Sequence, residues 1–126
     1  MATRIELSLR LQNSPGALAG VCRLLSDERV NIMAMSLDTA GQLRLLVDNH
    51  VHGAAVLRER HHTVTERNVV VLAVSNVPGA LAAALKLVAD AGVNIDYAYG
   101  GAADGGSAAS VVLGVDDAMR VAAVGV

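Results

Sequence analysis

Apolar and polar residues alternate along residues 4–11, with Ile5, Leu7, Leu9 and Leu11 on one side and Arg4, Glu6, Ser8 and Arg10 on the other. A period of two predicts a strand with one buried and one wet face. Asn13-Ser14-Pro15-Gly16 breaks that period. Beyond the break, Leu18, Val21, Cys22 and Leu25 recur at i, i+3, i+4 and i+7, the stripe of an amphipathic helix. Ser14 is a suitable cap for it, and proline suits a first helical turn. Val30-Asn31-Ile32 opens a second strand to about Leu37, and Asp38-Thr39-Ala40-Gly41 reads as a hairpin turn. Leu43, Leu45 and Val47 alternate in the returning strand, and Val51, Ala54, Ala55 and Leu57 predict a short helix over roughly 51–60.

Residues 62–75 come next. Thr63, Val64 and Thr65 favour strand, and Val69 to Val74 is apolar at every position, which predicts a strand covered on both faces. It is expected to close the first unit and open the second. A helix over 79–91, a strand over 93–99, a Gly-rich hairpin at 100–106, a strand over 107–115 and a helix over 116–123 follow.

The second half repeats the first. Residues 13–32, NSPGALAGVCRLLSDERVNI, align without a gap on 76–95, NVPGALAAALKLVADAGVNI, at an offset of 63 (78 − 15), and eleven of the twenty positions are identical. Two copies of one supersecondary unit are the direct reading, divided as 1–67 and 68–126. Each copy in βαββαβ order is a ferredoxin-like unit, an α+β fold with an antiparallel sheet and helices on one face. The second copy lacks its last strand, so that strand is expected to lie outside this sequence or to come from another chain. An uncovered strand edge is a liability.

Composition narrows the function. The net charge is −2, and the only aromatic residues are Tyr97 and Tyr99. An acidic balance without stacking platforms argues against nucleic acid or an anionic membrane as the partner. One cysteine, Cys22, excludes an internal disulfide and a multi-cysteine metal site. No leader pattern and no membrane-spanning apolar run is visible, so a cytoplasmic setting is expected. There is no G-x-S-x-G, P-loop or H-E-x-x-H, and no cofactor is expected.

The doubled Asn-x-Pro-Gly-Ala-Leu turn carries what chemistry there is. Gly16 and Gly79 let a ligand approach the backbone closely. The open N–H groups around Gly16, Ala17 and Leu18, and around Gly79, Ala80 and Leu81, suit an α-carboxylate at the positive end of a helix. The amide of Asn13 or Asn76 can meet either the carboxylate or the α-ammonium. The bland reading is equally physical: Asn before Pro-Gly is a good turn and cap. Val77 replaces Ser14 in the second copy and cannot cap, so Asn76 serves the turn alone or is reserved for a ligand.

A strand, then Asn-x-Pro-Gly-Ala-Leu opening a helix, then Val-Asn-Ile opening the next strand, resembles the ACT domain, a family of small amino-acid-binding regulatory modules. The doubled arrangement resembles free-standing bacterial tandem-ACT proteins over about 3–115. Its departure is the missing final strand, which the standard side-by-side eight-stranded sheet requires. The resemblance implies a non-catalytic homodimer that binds a small amino acid at ACT–ACT interfaces and signals allosterically to a partner enzyme or regulator. It places the ligand between the turn (Asn13, Ser14, Pro15, Gly16, Ala17, Leu18, or Asn76, Val77, Pro78, Gly79, Ala80, Leu81) and a strand of the adjacent unit. Met33 and Met35, or Tyr97 and Tyr99, would face the ligand from that strand. The second unit's turn is the expected occupant.

Two rivals remain: a ligand-free regulatory subunit of an enzyme of amino-acid metabolism, and a small metal-dependent enzyme using His50, His52, His61 and His62 with Asp48. Against the metal, His61 and His62 are adjacent on an expected strand and so face opposite ways. The Gly-rich 100–106 segment lies between strands, which favours a hairpin over a phosphate cradle. Cys22 reads as a packed core thiol.

Overall fold

The computed structural model describes residues 1–124; the expected second unit, 68–126, ends two residues outside them. The element order is β1 (Ala2–Arg10), α1 (Ala17–Asp27), β2 (Ile32–Leu37), β3 (Gln42–Val47), α2 (His50–Glu59), β4 (Thr65–Ser75), α3 (Ala80–Asp90), β5 (Ile95–Gly101), β6 (Ala108–Val115) and α4 (Ala118–Val124). The ten elements spell the expected strand–helix–strand–strand–helix order twice.

The chain divides into two compact units, Ile5–Arg67 and Met1–Arg4 together with the chain from Asn68 onward. In the first, the strand order is β2-β3-β1 with the start of β4 beside β1. That is the split-βαβ arrangement. In the second, the order is β5-β6-β4, and the opening residues of β1 take the place beside β4. The strand missing from the second copy is therefore supplied by residues 1–4 of this same chain, neither by another chain nor by residues outside the sequence. The linear order hid this because β1 is long enough to serve both units.

The core of the Ile5–Arg67 unit is built from Leu7, Leu9 and Leu11 of β1, Leu43, Leu45 and Val47 of β3, and Val21, Leu25, Ala54 and Leu57 of the helices. Antiparallel pairing puts Leu7 opposite Leu45 and Leu9 opposite Leu43, so the alternation read along β1 and β3 meets on one face. In the other unit, Val70, Leu72, Leu113 and Val115 pack with Val88 and Val121.

Several expectations are corrected. Glu6, assigned to a wet face, is 2% exposed and partnered; β1 has a neighbour on each side, so its second face is lined by their side chains. In β4, Val69 and Val70 on opposite faces are both fully buried, but Ala73 is exposed, so double coverage ends before the strand does. Cys22 is half-buried and lies outside the core, on the flank of the stripe made by Val21 and Leu25.

The helix ends follow local chemistry. Arg29 (φ 58) and His61 (φ 68) are left-handed residues closing α1 and α2. At α2, the His61 N–H donates to Arg58 O (3.0 Å) and the His62 N–H to Leu57 O (3.1 Å), a Schellman closure. These two histidines were expected on a strand; the closure holds them in a turn, and β4 begins only at Thr65. At its other end α2 is capped by Asn49, whose side chain accepts from the His52 N–H at 3.1 Å. Asn49→Ala is expected to lower stability by about 1 kcal/mol, read as a shifted denaturant midpoint at unchanged slope.

Candidate functional site

The Pro-Gly pair does something other than cap. The Ala17 N–H donates to Ser14 O at 3.3 Å, and Gly16 sits at φ 82, ψ −5. Proline second and a positive-φ glycine third define a type II turn. The copy repeats it: the Ala80 N–H donates to Val77 O at 3.3 Å with Gly79 at φ 88, ψ −16. Gly16 and Gly79 thus hold the N-cap position without any side-chain cap. Ser14 does not cap α1, contrary to expectation, because the turn places it two residues upstream. With no cap, the N–H groups of Leu18 and Ala19 stand open ahead of the first i→i−4 bond, from Gly20 to Gly16 O (2.9 Å).

A cleft of about 350 Å3 opens in front of this helix start. One wall is the end of β1 and the turn, from Leu11 to Ser14; the floor is Gly16 to Ala19; the opposite wall is the β2–β3 hairpin, Leu37 to Thr39 with Gly41. All these residues belong to the Ile5–Arg67 unit. The hairpin is rigidly built. Asp38 Oδ1 accepts from the N–H groups of Ala40 and Gln42, both at 3.0 Å, and Oδ2 lies 3.7 Å from an Arg44 nitrogen. The Leu11 N–H donates to Gly41 O at 2.8 Å, and an Arg10 guanidinium nitrogen donates to Ala40 O at 2.8 Å. An anion-seeking helix start therefore faces a hairpin whose carboxylate is engaged by two N–H groups and by Arg44.

Of the residues singled out in the sequence, the structure gathers Asn13, Ser14, Gly16, Ala17 and Leu18 in this cleft; Pro15, Met33 and Met35 do not line it. Leu11, Gln12, Ala19, Leu37, Asp38, Thr39 and Gly41 also line the cleft and were not singled out as site residues. The hairpin turn itself was legible, but nothing in the linear pattern said that it folds back against the Pro-Gly turn.

The two strand pairs carry the same irregularity, 63 positions apart (96 − 33), so Tyr97 stands where the first copy has Ala34 and Ala98 where it has Met35. Register shifts between Ile32 and Ala34 and between Ile95 and Tyr97 put Met33 and Asp96 in irregular positions. After the shift, Met35 pairs with core residue Leu45, whereas Tyr97 pairs with Gly114 and Tyr99 with Val112, neighbours of core residue Leu113. Met35 thus shares the helix-covered face of its sheet, and the tyrosines lie on the other face. Their rings stack at 6.4 Å, and Tyr97 covers Gly114 where a Cβ would overlap the ring.

The second turn is tied to its own hairpin. The Asn76 side-chain amide donates to Gly106 O at 2.8 Å, and its backbone N–H donates to Ser107 O at 3.1 Å. The glycines of 100–106 serve that hairpin: a Cβ at Gly100 would overlap Ser110 O, and Gly105 (φ 74) lies in the turn closed by Gly106 N–H to Ala103 O at 2.8 Å. Among the described residues, no three His, Cys, Asp or Glu side chains gather as a metal ion would need, and no helix is long and apolar enough to cross a membrane.

The sheet order, the doubled turn and its cleft define a pair of small ferredoxin-like modules. The chain belongs to the ACT domain pair family, which matches residues 2–125. Protein BT0572 from Bacteroides thetaiotaomicron is similar at 30% identity and a TM-score of 0.87, over 97% of this chain and 85% of that one. The ligand-free regulatory subunit of aspartate kinase from Thermus thermophilus shares the fold at 16% identity and a TM-score of 0.72, over 98% of this chain and 91% of that one. E. coli aspartokinase III in complex with lysine and aspartate shares it at 18% identity and a TM-score of 0.60, over 94% of this chain but 29% of that one. No curated protein matches the sequence.

Proposed function

We propose that this chain is a non-catalytic regulatory protein that binds a small amino acid in the Asn13–Ala19 cleft. The observation that carries the reading is the cleft itself, with the open Leu18 and Ala19 N–H groups on its floor and the Asp38 hairpin opposite. The ligand's α-carboxylate sits at the start of α1. Its α-ammonium meets Asn13 Oδ1. Leu11, Leu18 and Leu37 border the space left for a side chain. The family assignment supports this role, as do the regulatory subunits among the chain's structural relatives.

The output requires a second protein surface. Leu37 ends β2 just before Asp38, and β2 lies at the edge of the sheet and exposes Met33, Met35 and Leu37 at 47%, 38% and 43%. A second copy seated on that edge would form an ACT–ACT interface against the cleft, and ligand affinity would then depend on the relative placement of the two copies. The same exposed edge is what favours the second reading, a regulatory subunit that docks on an enzyme without a ligand of its own.

A thermal-shift screen of the twenty standard amino acids separates the two. A ligand at 100 times its Kd is expected to stabilise the protein by about 2.7 kcal/mol. Asn13→Ala is expected to weaken the hit at least tenfold, about 1.4 kcal/mol. No shift with any amino acid would sink the ligand reading and leave the docking subunit.

A further inference from the structure

The repeat makes a comparison possible that a single unit would not. Asn13 and Asn76 are the same residue of the same motif, 63 positions apart. Yet Asn76 is hydrogen-bonded twice to the following hairpin, to Gly106 O at 2.8 Å and to Ser107 O at 3.1 Å. Asn13 has neither bond. The cause is hairpin length. The first unit connects β2 to β3 through 38–41; the second connects β5 to β6 through 102–107, after longer strands. β6 also pairs with β4 as far as Ser75 opposite Ala108, which carries the hairpin up to the Asn76 turn. Three glycines permit this. Gly100 allows the close approach to Ser110 and Val111, Gly105 supplies a positive φ, and Gly106 fits tightly under Ala103 O.

We propose that the two copies have divided the work: the Asn13 turn receives the ligand, and Asn76 is a latch that fastens the β5–β6 hairpin across its own turn. The division of labour rests on the ligand reading above; the latch does not. In the latched copy the side-chain amide N–H is held by Gly106 O, so the hairpin rather than a ligand fixes how the Asn76 side chain is turned. The neighbouring positions differ too: Val77 stands where the first copy has Ser14, and Val77 and Leu81 are exposed at 59% and 41%. The chain then has one amino-acid site rather than two, and the second unit is a stiffened element.

Two measurements on the intact protein test this. The first is backbone hydrogen exchange without ligand. Loss of the side-chain bond in Asn76→Ala is expected to raise exchange at Asn76 and Gly106 about fivefold, the equivalent of one ordinary hydrogen bond. Asn76→Gln, which keeps an amide donor, should recover part of the protection, and Asn13→Ala should leave the hairpin unchanged. Unaltered exchange in Asn76→Ala would overturn the latch. The second is NMR titration with the standard L-amino acids one at a time. Shifts confined to 13–19 and 38–41 support the division; shifts at 76–82 of comparable size overturn it. Silence everywhere, with the exchange result as expected, would keep the latch and remove the amino-acid reading and with it the division.

Discussion

Ala19→Asp is expected to make the protein more stable and a worse ligand binder. Ala19 is the third helical residue of α1, exposed on the floor of the cleft. A carboxylate there faces the positive end of the helix and complements N–H groups that have no other partner, a gain of about 0.5 kcal/mol. For a chain of this size that raises Tm by roughly 2 °C. The same charge occupies the field proposed to hold the ligand's α-carboxylate, so affinity should fall at least tenfold, about 1.4 kcal/mol. Opposite signs in the two readouts separate this variant from one that simply damages the fold. Stabilisation with undiminished affinity would mean that the carboxylate is held elsewhere.

Gly41→Ala should be among the most damaging single-methyl changes in the Ile5–Arg67 unit. Gly41 has φ 82, and a Cβ would lie 2.5 Å from Leu11 O, while Gly41 O accepts the Leu11 N–H at 2.8 Å. The strained backbone and the overlap act together, and roughly 2–4 kcal/mol is expected. Gly16 is the control. It has the same φ of 82, but a Cβ there would meet nothing within 4 Å, so Gly16→Ala should cost only the backbone term, about 1 kcal/mol. Denaturant melts of the two variants give the difference directly. Equal losses would show that the hairpin's close approach to β1 does not govern stability. Gly41 lies in the cleft wall, so the ligand response should fall with it.

These two variants also mark the line between local and non-local information. The type II turn at Ser14–Ala17 is written in Pro15 and Gly16 alone, because proline presets one dihedral and glycine permits the next. Its use as an uncapped helix start was misread from the same residues, since Ser14 looks like a cap until the turn displaces it. The roles of Gly41 and Asp38 in the cleft were out of reach. They depend on β3 pairing with β1 in a register that brings Gly41 beside Leu11, a relation between residues thirty positions apart (41 − 11). The face of Tyr97 was equally hidden, because one irregular residue, Asp96, shifts the strand's alternation.

By itself the sequence determined the repeat, the order of elements, the strand and helix faces that make the two cores, and the family. Those features rest on periodicities of two and 3.6 and on turn chemistry, which are local. The tertiary structure alone decided three others. It took the strand missing from the second copy from residues 1–4. It gave the open cleft to the first turn. It tied the second turn to its hairpin through Asn76. Each of these is a pairing across the fold, set by strand length and register, and side-chain alternation along one strand carries no information about which neighbour that strand will find.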